Sequence, residues 1–460
     1  MIKKELSNVF RTLVKNIIDS KYEVPYIQCS DIKEFKIGKS YFYSIKNKQK
    51  FSIKYNKKTF CIYDILNYYF SKLIPLNNAS TAFRKELSYL HFFEPHKENY
   101  HFIRLDICSF FHSITEKDIK NVFEKYFYNE PIHEKGTQSL LDAFIELVTY
   151  KIPKNSSNEK FRDKRVLPMG FKTSPVISNI IFRQLDIQIQ KLCLDKGVIY
   201  TRYADDMLFS SSKHLTYIHS DDFIKEIRII ISQMNFKLNE HKTIKAKHTL
   251  SLNGYTIQYS DFHSNTKEII HELRLSNKRT NLIKKMIHMI DKEKKPPNII
   301  LKTMFQYKVN WKFKPLDKET FQKYYLEQLL YKVLGYRSYL LSIIQFNKKY
   351  HCMQQETIKK YLGIIDTLED ISDNFQKQIA NLEKIIERNK PFHKMTKVKI
   401  EKLGFTKGIE NKLKEEGYKT LKDLYGIKKE KLMGIKYIGE KTAQNIIKII
   451  QDESLIYFNA

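Results

Sequence analysis

Two adjacent aspartates interrupt the otherwise apolar and aromatic segment TRYADDMLFS at residues 201–210. The segment predicts one strand, a tight turn and the start of a second strand. Neighbouring carboxylates repel each other and aspartate is a poor strand former, so a purely structural sequence would gain little from Asp205 and Asp206. We therefore expect a positive counter-charge next to this pair.

A third aspartate lies in a comparable setting earlier in the chain, in the segment HFIRLDICSFFHSI. Strand alternation places Asp106 on the face that also carries Arg104, opposite an apolar face. If this strand neighbours the hairpin of Asp205 and Asp206, three carboxylates meet at one edge of a sheet. Phosphoryl transfer that is assisted by two divalent ions about 4 Å apart requires hard oxygen ligands of this kind to hold the ions.

The charge balance of the chain favours a polyanionic partner. Lysine and arginine number 81 and acidic residues 51, which gives a formal net charge of +30. Nucleic acid is the simplest such partner, and a lysine-rich bias of ordinary solvated surfaces is the alternative. A length of 460 residues predicts two or three domains, and 42% hydrophobic residues exclude a disordered chain.

Cysteine usage and the N-terminus bear on the cellular compartment. The cysteines number five and form no C-x-x-C pair, which argues against a disulfide framework or a cysteine zinc site. Residues 1–22 have the pattern of an amphipathic helix interrupted by charges, unlike a signal sequence. Since no run approaches the roughly 18 apolar residues of a membrane span, we expect a soluble protein in the reducing cytoplasm.

Strand-like and helical patterns interleave from about residue 100 to 260 and predict an α+β sheet packed on helices. Upstream, YFYSIKNKQKFSIKY alternates as a hairpin would, and a helical region follows from about 270 to 345. A later helix carries an apolar stripe made of Leu368, Ile371, Phe375, Ile379, Leu382 and Ile386. The stripe indicates either a short coiled coil between subunits or, as we favour, packing on the chain's own core. The segment ERNKPFHKMT after it is interpreted as a linker.

Five motifs give the chain a family resemblance: RLDICSFFHSI, LPMGFKTSP, TRYADDMLF, KLNEHKT and LNGY. Their order and spacing resemble the palm motifs of bacterial reverse transcriptases of the retron and group II intron kind, with YADD as the specific element. The resemblance covers about residues 40–345 and implies an α+β right-hand polymerase with fingers, an antiparallel palm sheet and a helical thumb. The implied domains are an N-terminal extension with fingers (1–99), a palm (100–265, with a finger insertion at about 125–170), a thumb (266–345) and a helical connector (346–395).

The remaining residues, 396–460, resemble a small all-α helix-hairpin-helix domain, and also the C-terminal domain of the bacterial RNA polymerase α subunit. The segment LMGIKYIGEKTAQNII carries this resemblance, although Tyr437 stands where a glycine is common. It implies a phosphate site at the turn around Gly439, to which Lys441 adds charge. Contact with another protein is the competing interpretation of this domain.

The reverse transcriptase resemblance assigns a role to the three aspartates. Asp106, Asp205 and Asp206 correspond to the catalytic residues that hold two Mg²⁺ ions, for which Mn²⁺ can substitute. The main-chain carbonyl of Ile107 matches a further metal ligand of the family.

The same resemblance implies a set of nucleotide-binding residues. Phe111 matches the steric gate that excludes the 2′-hydroxyl of ribonucleotides, whereas we expect Phe110 in the core. Gly170 belongs to a loop that supports the nucleotide, and Met169 departs from the family's usual glutamine and cannot make the amide's hydrogen bonds. Lys242 resembles a lysine that protonates or screens the pyrophosphate.

Contacts to template and primer are less sharply indicated. Four basic residues are candidates for contacts to the triphosphate or to template phosphates: Lys46, Lys48, Lys50 and Arg84. The pattern of basic residues in this part of the sequence does not distinguish among them. The LNGY motif, residues 252–255, matches the turn that grips the primer. Lysines of the thumb could follow duplex phosphates without reading bases.

These features predict an RNA-directed DNA polymerase that uses dNTPs to copy an RNA template into DNA. The resemblance implies a non-coding RNA partner and a role in antiphage defence, and it leaves homo-oligomerisation open. An RNA-dependent RNA polymerase is disfavoured by Ala204 in place of glycine and by Phe111. A nucleic-acid-binding scaffold with a lapsed active site is disfavoured because all three acids are present.

Overall fold

The computed structural model describes residues 1–19, 32–37, 40–45, 52–55, 58–131, 138–156, 158–260, 270–308 and 318–458. The chain forms two compact units. The first comprises Met1–Lys278 and Ile343–Ile358, and the second comprises Arg279–Ser342 and Lys359–Ala460. The five domain ranges given above stay predictions.

A four-stranded antiparallel sheet lies at the centre of the first unit. Its strands are β5 (His101–Asp106), β8 (Ile199–Tyr203), β9 (Asp206–Ser211) and β10 (Ile244–Lys247). They lie in the order β10-β5-β9-β8 and are rich in the β-branched and aromatic residues that fit a pleated, buried surface. β8 and β9 form the predicted hairpin, and β5 pairs with β9, which confirms that the two acidic segments are neighbours.

Helices pack against this sheet and complete the α+β fold predicted for the unit. They are α1 (Ile2–Asp19), α2 (Ile62–Leu73), α3 (Phe110–Ser113), α4 (Glu116–Phe123), α5 (Leu140–Val148), α6 (Ser174–Asp195) and α7 (Asp221–Ser232). Phe10 of α1 contacts Phe127 and Phe144 edge to face within one common core. A capping box starts α4, since Thr115 and Asp118 each accept the other's backbone N–H. The short strands β6 (Tyr150–Lys151) and β7 (Arg165–Val166) pair beside this core.

The strand-like region before residue 62 forms two hairpins, so the single hairpin predicted for YFYSIKNKQKFSIKY is wrong. β1 (Ile32–Ile37) pairs with β2 (Ser40–Ile45), and β3 (Ser52–Tyr55) pairs with β4 (Lys58–Cys61). Two residues connect the strands of each pair, whereas six separate β2 from β3. Because two-residue connections are the commonest in hairpins, each strand pairs with its nearer neighbour.

A separate three-stranded sheet follows the central one in the chain. Its strands β11 (Thr249–Leu252), β12 (Tyr255–Ser260) and β13 (Ile270–Leu275) are antiparallel and adjacent in that order. Asn253 and Gly254 connect β11 to β12 with φ angles of 51° and 90°. Asparagine and glycine tolerate this left-handed backbone best, so LNGY forms the tight hairpin turn that the sequence predicts.

A buried histidine connects two strands of the central sheet. His96 precedes β5 and is fully buried. Its Nδ1 lies 2.6 Å from Ser210 Oγ on β9, and its Nε2 lies 2.8 Å from Thr201 Oγ1 on β8. Burial lowers the pKa of His96 to about 3, because the charged ring would lose its hydration. The ring therefore stays neutral in the folded protein at mildly acidic pH.

We expect His96 to make the fold acid-sensitive. Below pH 6.5 the unfolded chain binds a proton that the folded chain excludes, so stability falls by about 1.4 kcal/mol per pH unit toward pH 3. Urea unfolding of the His96→Gln variant should depend less on pH between 6.5 and 4.5 than that of the wild type. His214→Gln, at an exposed position, should leave the dependence unchanged. Equal pH slopes for wild type and His96→Gln would contradict this assignment.

Long helices dominate the chain from residue 277 onward: α8 (Asn277–Asp291), α9 (Pro297–Phe305), α10 (Lys318–Tyr350) and α11 (Gln355–Met395). The stripe on α11 is buried at Leu368, Ile371 and Phe375 and half-buried further along. Lys323 of α10 forms an ion pair with Glu383 of α11 at 2.7 Å. The stripe thus packs within the chain, as favoured over a coiled coil.

The linker predicted at ERNKPFHKMT is wrong, because α11 continues through Pro391 to Met395. An interior proline costs a helix roughly 3 kcal/mol, which is why the sequence indicated a break. Here Met395 is completely buried in the C-terminal core, and Phe392 packs against the same core. Packing of the helix end therefore outweighs the proline.

The C-terminal segment folds around its own small core, and the predicted all-α character is confirmed. Its helices are α12 (Lys407–Glu415), α13 (Leu421–Leu424), α14 (Lys429–Met433) and α15 (Glu440–Phe458). Leu413, Leu432 and Ile446 are among the buried residues that join them. The helix-hairpin-helix assignment itself stays a prediction.

Two further observations concern membranes and thiols. None of the helices in the described ranges combines the length and the apolar character needed to cross a bilayer. Cys108, Cys193 and Cys352 are free cysteines. Burial raises the pKa of the Cys193 thiol to about 12, so this thiol is unreactive.

Candidate active site

The structure brings the three predicted aspartates to one end of the central sheet. Asp106 is the last residue of β5, Asp206 is the first residue of β9, and the two lie directly opposite each other in the strand register. Asp205 occupies the turn between β8 and β9, and its carbonyl accepts a hydrogen bond from Ile107 N at 3.0 Å. Opposed residues of an antiparallel pair project from the same face, so the carboxylates converge.

A buried ion pair supports the turn that carries Asp205. Arg202 Nε donates to Asp186 Oδ1 of α6 at 2.8 Å, and Arg202 Nη2 donates to Asp186 Oδ2 at 2.7 Å. Both side chains are fully buried. The other terminal nitrogen of Arg202 donates to the carbonyl of Ala204 at 2.9 Å. Ala204 has a φ of 56°, a left-handed conformation that costs a non-glycine residue energy. Arg202 thus stabilises the strained turn between β8 and β9 through this hydrogen bond.

Two cationic side chains, Arg104 and Lys242, lie against the carboxylates. Arg104 Nη2 donates to Asp106 Oδ1 at 3.0 Å and also to Asp206 Oδ1. Lys242 Nζ lies 3.1 Å from Asp106 Oδ2, and its side chain remains 57% exposed. Lys242 was predicted from the sequence to belong to the site, whereas Arg104 was not given a functional role. The signal was present, because Arg104 stands two residues before Asp106 on the same strand face.

The carboxylates are strained electrostatically despite these cations. Burial, followed by repulsion from Asp206, raises the pKa of Asp205 to about 6. Burial also raises the pKa of Asp206, and the hydrogen-bonded Arg104 only partly opposes this shift. The ionised forms of Asp205 and Asp206 are therefore disfavoured at this edge of the sheet.

The donor set at this edge suits divalent cations. Three carboxylates from two strands and a turn are hard oxygen ligands of the type that Mg²⁺ and Mn²⁺ prefer. Among the described residues, no three His, Cys, Asp or Glu side chains are already arranged as a metal site. Asp106 and Asp206 instead face Arg104. Asp106, Asp205 and Asp206 are the residues that would hold the ions.

Comparison with known proteins agrees with this geometry. Residues 45–257, which include all three aspartates, match the family model for reverse transcriptase (RNA-dependent DNA polymerase). Residues 45–257 therefore form a domain that is similar to reverse transcriptases. Residues 387–452 match the C-terminal domain of the bacterial RNA polymerase alpha chain, as the C-terminal resemblance implied.

Several relatives of the reverse transcriptase domain are retron enzymes. The retron Ec73 reverse transcriptase of Escherichia coli is 30% identical over 208 residues, covering 44% of this chain and 61% of the relative. The retron Ec86 reverse transcriptase of Escherichia coli is 29% identical over 164 residues, covering 36% and 44%. Both matches span less than two thirds of the relative's length.

Among solved structures, a telomerase from Candida albicans, in complex with a telomeric RNA fragment, aligns over 76% of this chain and 57% of its own. The identity is 12% and the TM-score 0.31, which is too low to bear on this chain.

The predicted gate residue Phe111 follows Asp106, the last residue of β5, by five positions in the chain. Phe111 follows the left-handed Ser109, belongs to α3 and is half-buried. Its neighbour Phe110 is buried and stacks on Phe236 with ring centroids 5.6 Å apart. The prediction that Phe110 belongs to the core is confirmed, and Phe111 is the more exposed of the two rings.

The predicted nucleotide loop precedes α6. Met169 is half-buried, and Gly170 is exposed with a φ of 106°, which only glycine adopts readily. The hydroxyl of Ser174, the first residue of α6, donates to the carbonyl of Pro168 at 2.6 Å. This bond holds the loop against the start of the helix.

The structure bears unequally on the other predicted contacts. Arg84 donates to the carbonyls of Asn77 and Ser80, at 3.1 and 3.0 Å, so part of its guanidinium holds a loop of the domain. Lys46, Lys48 and Lys50 lie outside the described residues. In the C-terminal segment, Gly439 directly precedes α15, and Lys441 is exposed in its first turn.

An aromatic cluster beside the acids was missed by the sequence analysis. The ring of Tyr89 lies 4.5 Å from that of Tyr203, which precedes the acidic turn, and 5.8 Å from that of Tyr255. Asn253 of the LNGY turn donates to the Tyr89 hydroxyl at 2.5 Å. No motif marks Tyr89, because its partners come from distant parts of the chain.

Proposed function

We propose that this protein is an RNA-directed DNA polymerase that copies an RNA template into DNA. The observation that carries the proposal is the register of Asp106 opposite Asp206, with Asp205 in the adjoining turn, inside the reverse transcriptase match. Reverse transcriptases generally use divalent metal ions, and two Mg²⁺ ions are our proposal here, with Mn²⁺ as a substitute.

The residues at the edge of the sheet would divide the work of nucleotide addition. Asp106, Asp205 and Asp206 hold the two ions, and the Ile107 carbonyl is offered as a further ligand. Divalent ions held there would supply the positive charge that favours deprotonation of the primer 3′-hydroxyl and offsets charge on the leaving pyrophosphate. Lys242, whose side chain is 57% exposed beside Asp106, would screen or protonate the pyrophosphate.

Contacts to the incoming nucleotide would come from the palm loops. The exposed backbone of Gly170 and the side chain of Met169 border the nucleotide, and Phe111 lies against its sugar. Methionine offers no amide hydrogen bond at this position, so nucleotide selection rests more on shape than on polar contacts.

The biological setting forms the less direct part of the proposal. Template RNA, DNA product and dNTPs are the expected partners. A non-coding RNA, a role in antiphage defence and a cytoplasmic location belong to the same proposal, as the motif resemblance implies. The net charge of +30 supports a nucleic-acid partner. Sequencing the nucleic acid that co-purifies with the protein tests this setting, and recovery of unrelated cellular RNA alone would contradict it.

A primer-extension assay tests the activity. With an RNA template and Mg²⁺ we expect DNA products from dNTPs, none after EDTA, and none from the Asp205→Ala, Asp206→Ala double variant. Products formed from NTPs instead would identify an RNA-dependent RNA polymerase. Binding of RNA without any product would identify a nucleic-acid-binding scaffold.

We expect Phe111→Ala to relax sugar discrimination. Removing the ring opens space for a 2′-hydroxyl, so the preference for dNTPs over NTPs in kcat/KM should fall at least about tenfold. Tyr68→Ala removes an exposed aromatic ring of the same unit and should leave the preference unchanged. Unaltered discrimination in Phe111→Ala would show that Phe111 is not the gate.

For the C-terminal domain we propose sequence-independent binding of nucleic acid. The turn at Gly439 and the exposed Lys441 at the start of α15 suit a backbone phosphate. Weaker RNA or DNA binding by Lys441→Glu would support this role, and unchanged binding would favour the alternative of protein contact.

A further inference from the structure

Arg104 lies among the acids of the candidate site. One terminal nitrogen donates to Asp106 Oδ1 at 3.0 Å and to Asp206 Oδ1, so a single N–H₂ group bridges the two opposed carboxylates. The other terminal nitrogen donates to the carbonyl of Lys242 at 3.0 Å. The side chain is only 11% exposed. Such charge-assisted bonds are roughly twice as strong as neutral ones.

The strand register keeps this guanidinium in place. Arg104 pairs with Leu208 on β9 and with Ile244 on β10, so it lies in an interior strand with a neighbour on each side. Its Nε is buried and has no hydrogen-bond partner among the described residues. Arg104 is therefore fixed by its acidic partners and by the sheet, whereas the more exposed Lys242 can withdraw into solvent.

The acids consequently face a cation of the chain itself. The carboxylates of Asp106 and Asp206 point to Arg104, and the described residues contain no ready-made group of three metal ligands. A divalent ion that enters this site must either displace the guanidinium of Arg104 or bind against the repulsion of its positive charge.

We propose that Arg104 is a resident counter-ion that sets how tightly the site binds divalent ions. This inference rests on the proposed function. Without nucleotide, Arg104 stabilises the clustered acids and weakens metal binding. The triphosphate of an incoming nucleotide brings enough negative charge to offset Arg104, so the ions bind tightly only together with the nucleotide. Arg104 is thus a positioning residue that couples metal binding to substrate binding.

Metal binding in the absence of nucleotide tests the proposal without measuring activity. The full-length protein, stripped with EDTA, is titrated with Mn²⁺ by calorimetry as wild type, Arg104→Gln and Lys247→Gln. Arg104→Gln should bind Mn²⁺ at least about tenfold more tightly, because one nearby positive charge is gone. Lys247→Gln removes a positive charge from β10 opposite His101, at the far end of β5, and should bind as the wild type does.

Thermal unfolding gives a second readout. Metal-free Arg104→Gln should unfold at a lower temperature than the wild type, because its acids lose their partner, and Mn²⁺ should raise that temperature by a larger increment. Should Arg104→Gln fail to fold, Arg104→Met keeps the packing of the side-chain stem and allows the same comparison.

The outcomes separate this inference from the proposed function. If the wild type binds Mn²⁺ and the Arg104 variants bind it equally or more weakly, the counter-ion role is overturned and the polymerase proposal stands. If neither the wild type nor the variants bind Mn²⁺ without nucleotide, the inference is overturned, and the polymerase proposal is decided separately by primer extension with Mg²⁺ and by its loss after EDTA.

Discussion

Asp205→Asn is expected to lose nucleotide addition almost completely while the fold persists. The amide cannot replace an anionic metal ligand, and the loss of about 4 kcal/mol of transition-state stabilisation corresponds to a fall of roughly 10³-fold in kcat/KM. Because burial and Asp206 raise the pKa of Asp205 to about 6, the ionised carboxylate costs stability at pH 7. The variant should therefore unfold, without metal, at the wild-type temperature or above it.

Primer extension with Mg²⁺ and thermal unfolding of the metal-free protein check the two halves of this result. Asp195→Asn makes the same chemical change at an exposed position at the end of α6 and should alter neither. Full activity of Asp205→Asn would remove Asp205 from the metal site. A large drop in unfolding temperature would show that the lost activity reflects misfolding.

Asp186→Ala is expected to destabilise the reverse transcriptase domain by about 3–5 kcal/mol, because it leaves the guanidinium of Arg202 buried and unpaired. Both side chains are fully buried, and the Tyr200 hydroxyl loses its acceptor as well. A loss of this size lowers the unfolding temperature of a domain this large by about 10 °C. Calorimetric or dichroic melting curves measure the shift.

Two further variants sharpen this experiment. Glu240→Ala breaks the exposed ion pair with Arg228 and should change stability by only about 0.5 kcal/mol. The double change Asp186→Leu with Arg202→Met replaces the buried pair by apolar side chains and should recover much of the stability. Its primer extension should stay impaired, since the Ala204 carbonyl has lost the Arg202 donor. A single Asp186→Ala variant that melts like the wild type would refute the role of the pair.

The sequence predicted those features of the site that depend on local pattern. Alternation in β5 placed Asp106 opposite an apolar face, and the hairpin around Asp205 and Asp206 followed from its strand and turn composition. The pairing of β5 with β9 was a conditional expectation, and the register of Asp106 with Asp206 confirms it. The roles of these aspartates in metal binding and catalysis stay predictions.

Features that depend on contacts distant in sequence were not predicted. The partner of Arg202 lies on α6, and no motif connects Asp186 to the acidic turn. The pairing of β2 with β1 and the passage of α11 through Pro391 were both missed. Strand alternation in β2 does not determine whether β1 or β3 is its partner. The local free-energy cost of Pro391 in a helix does not account for the stabilisation gained by burying Met395.

Tyr89 belongs to neither the acidic turn nor the LNGY turn, yet it contacts both, through the ring of Tyr203 and the side-chain amide of Asn253. In a polymerase, the side chain of Tyr89 would then set the distance between the primer end and the acids. The acidic turn and the LNGY turn could not move independently of each other. The size of the Tyr89 ring would therefore affect how accurately the 3′ end is aligned in each round of copying.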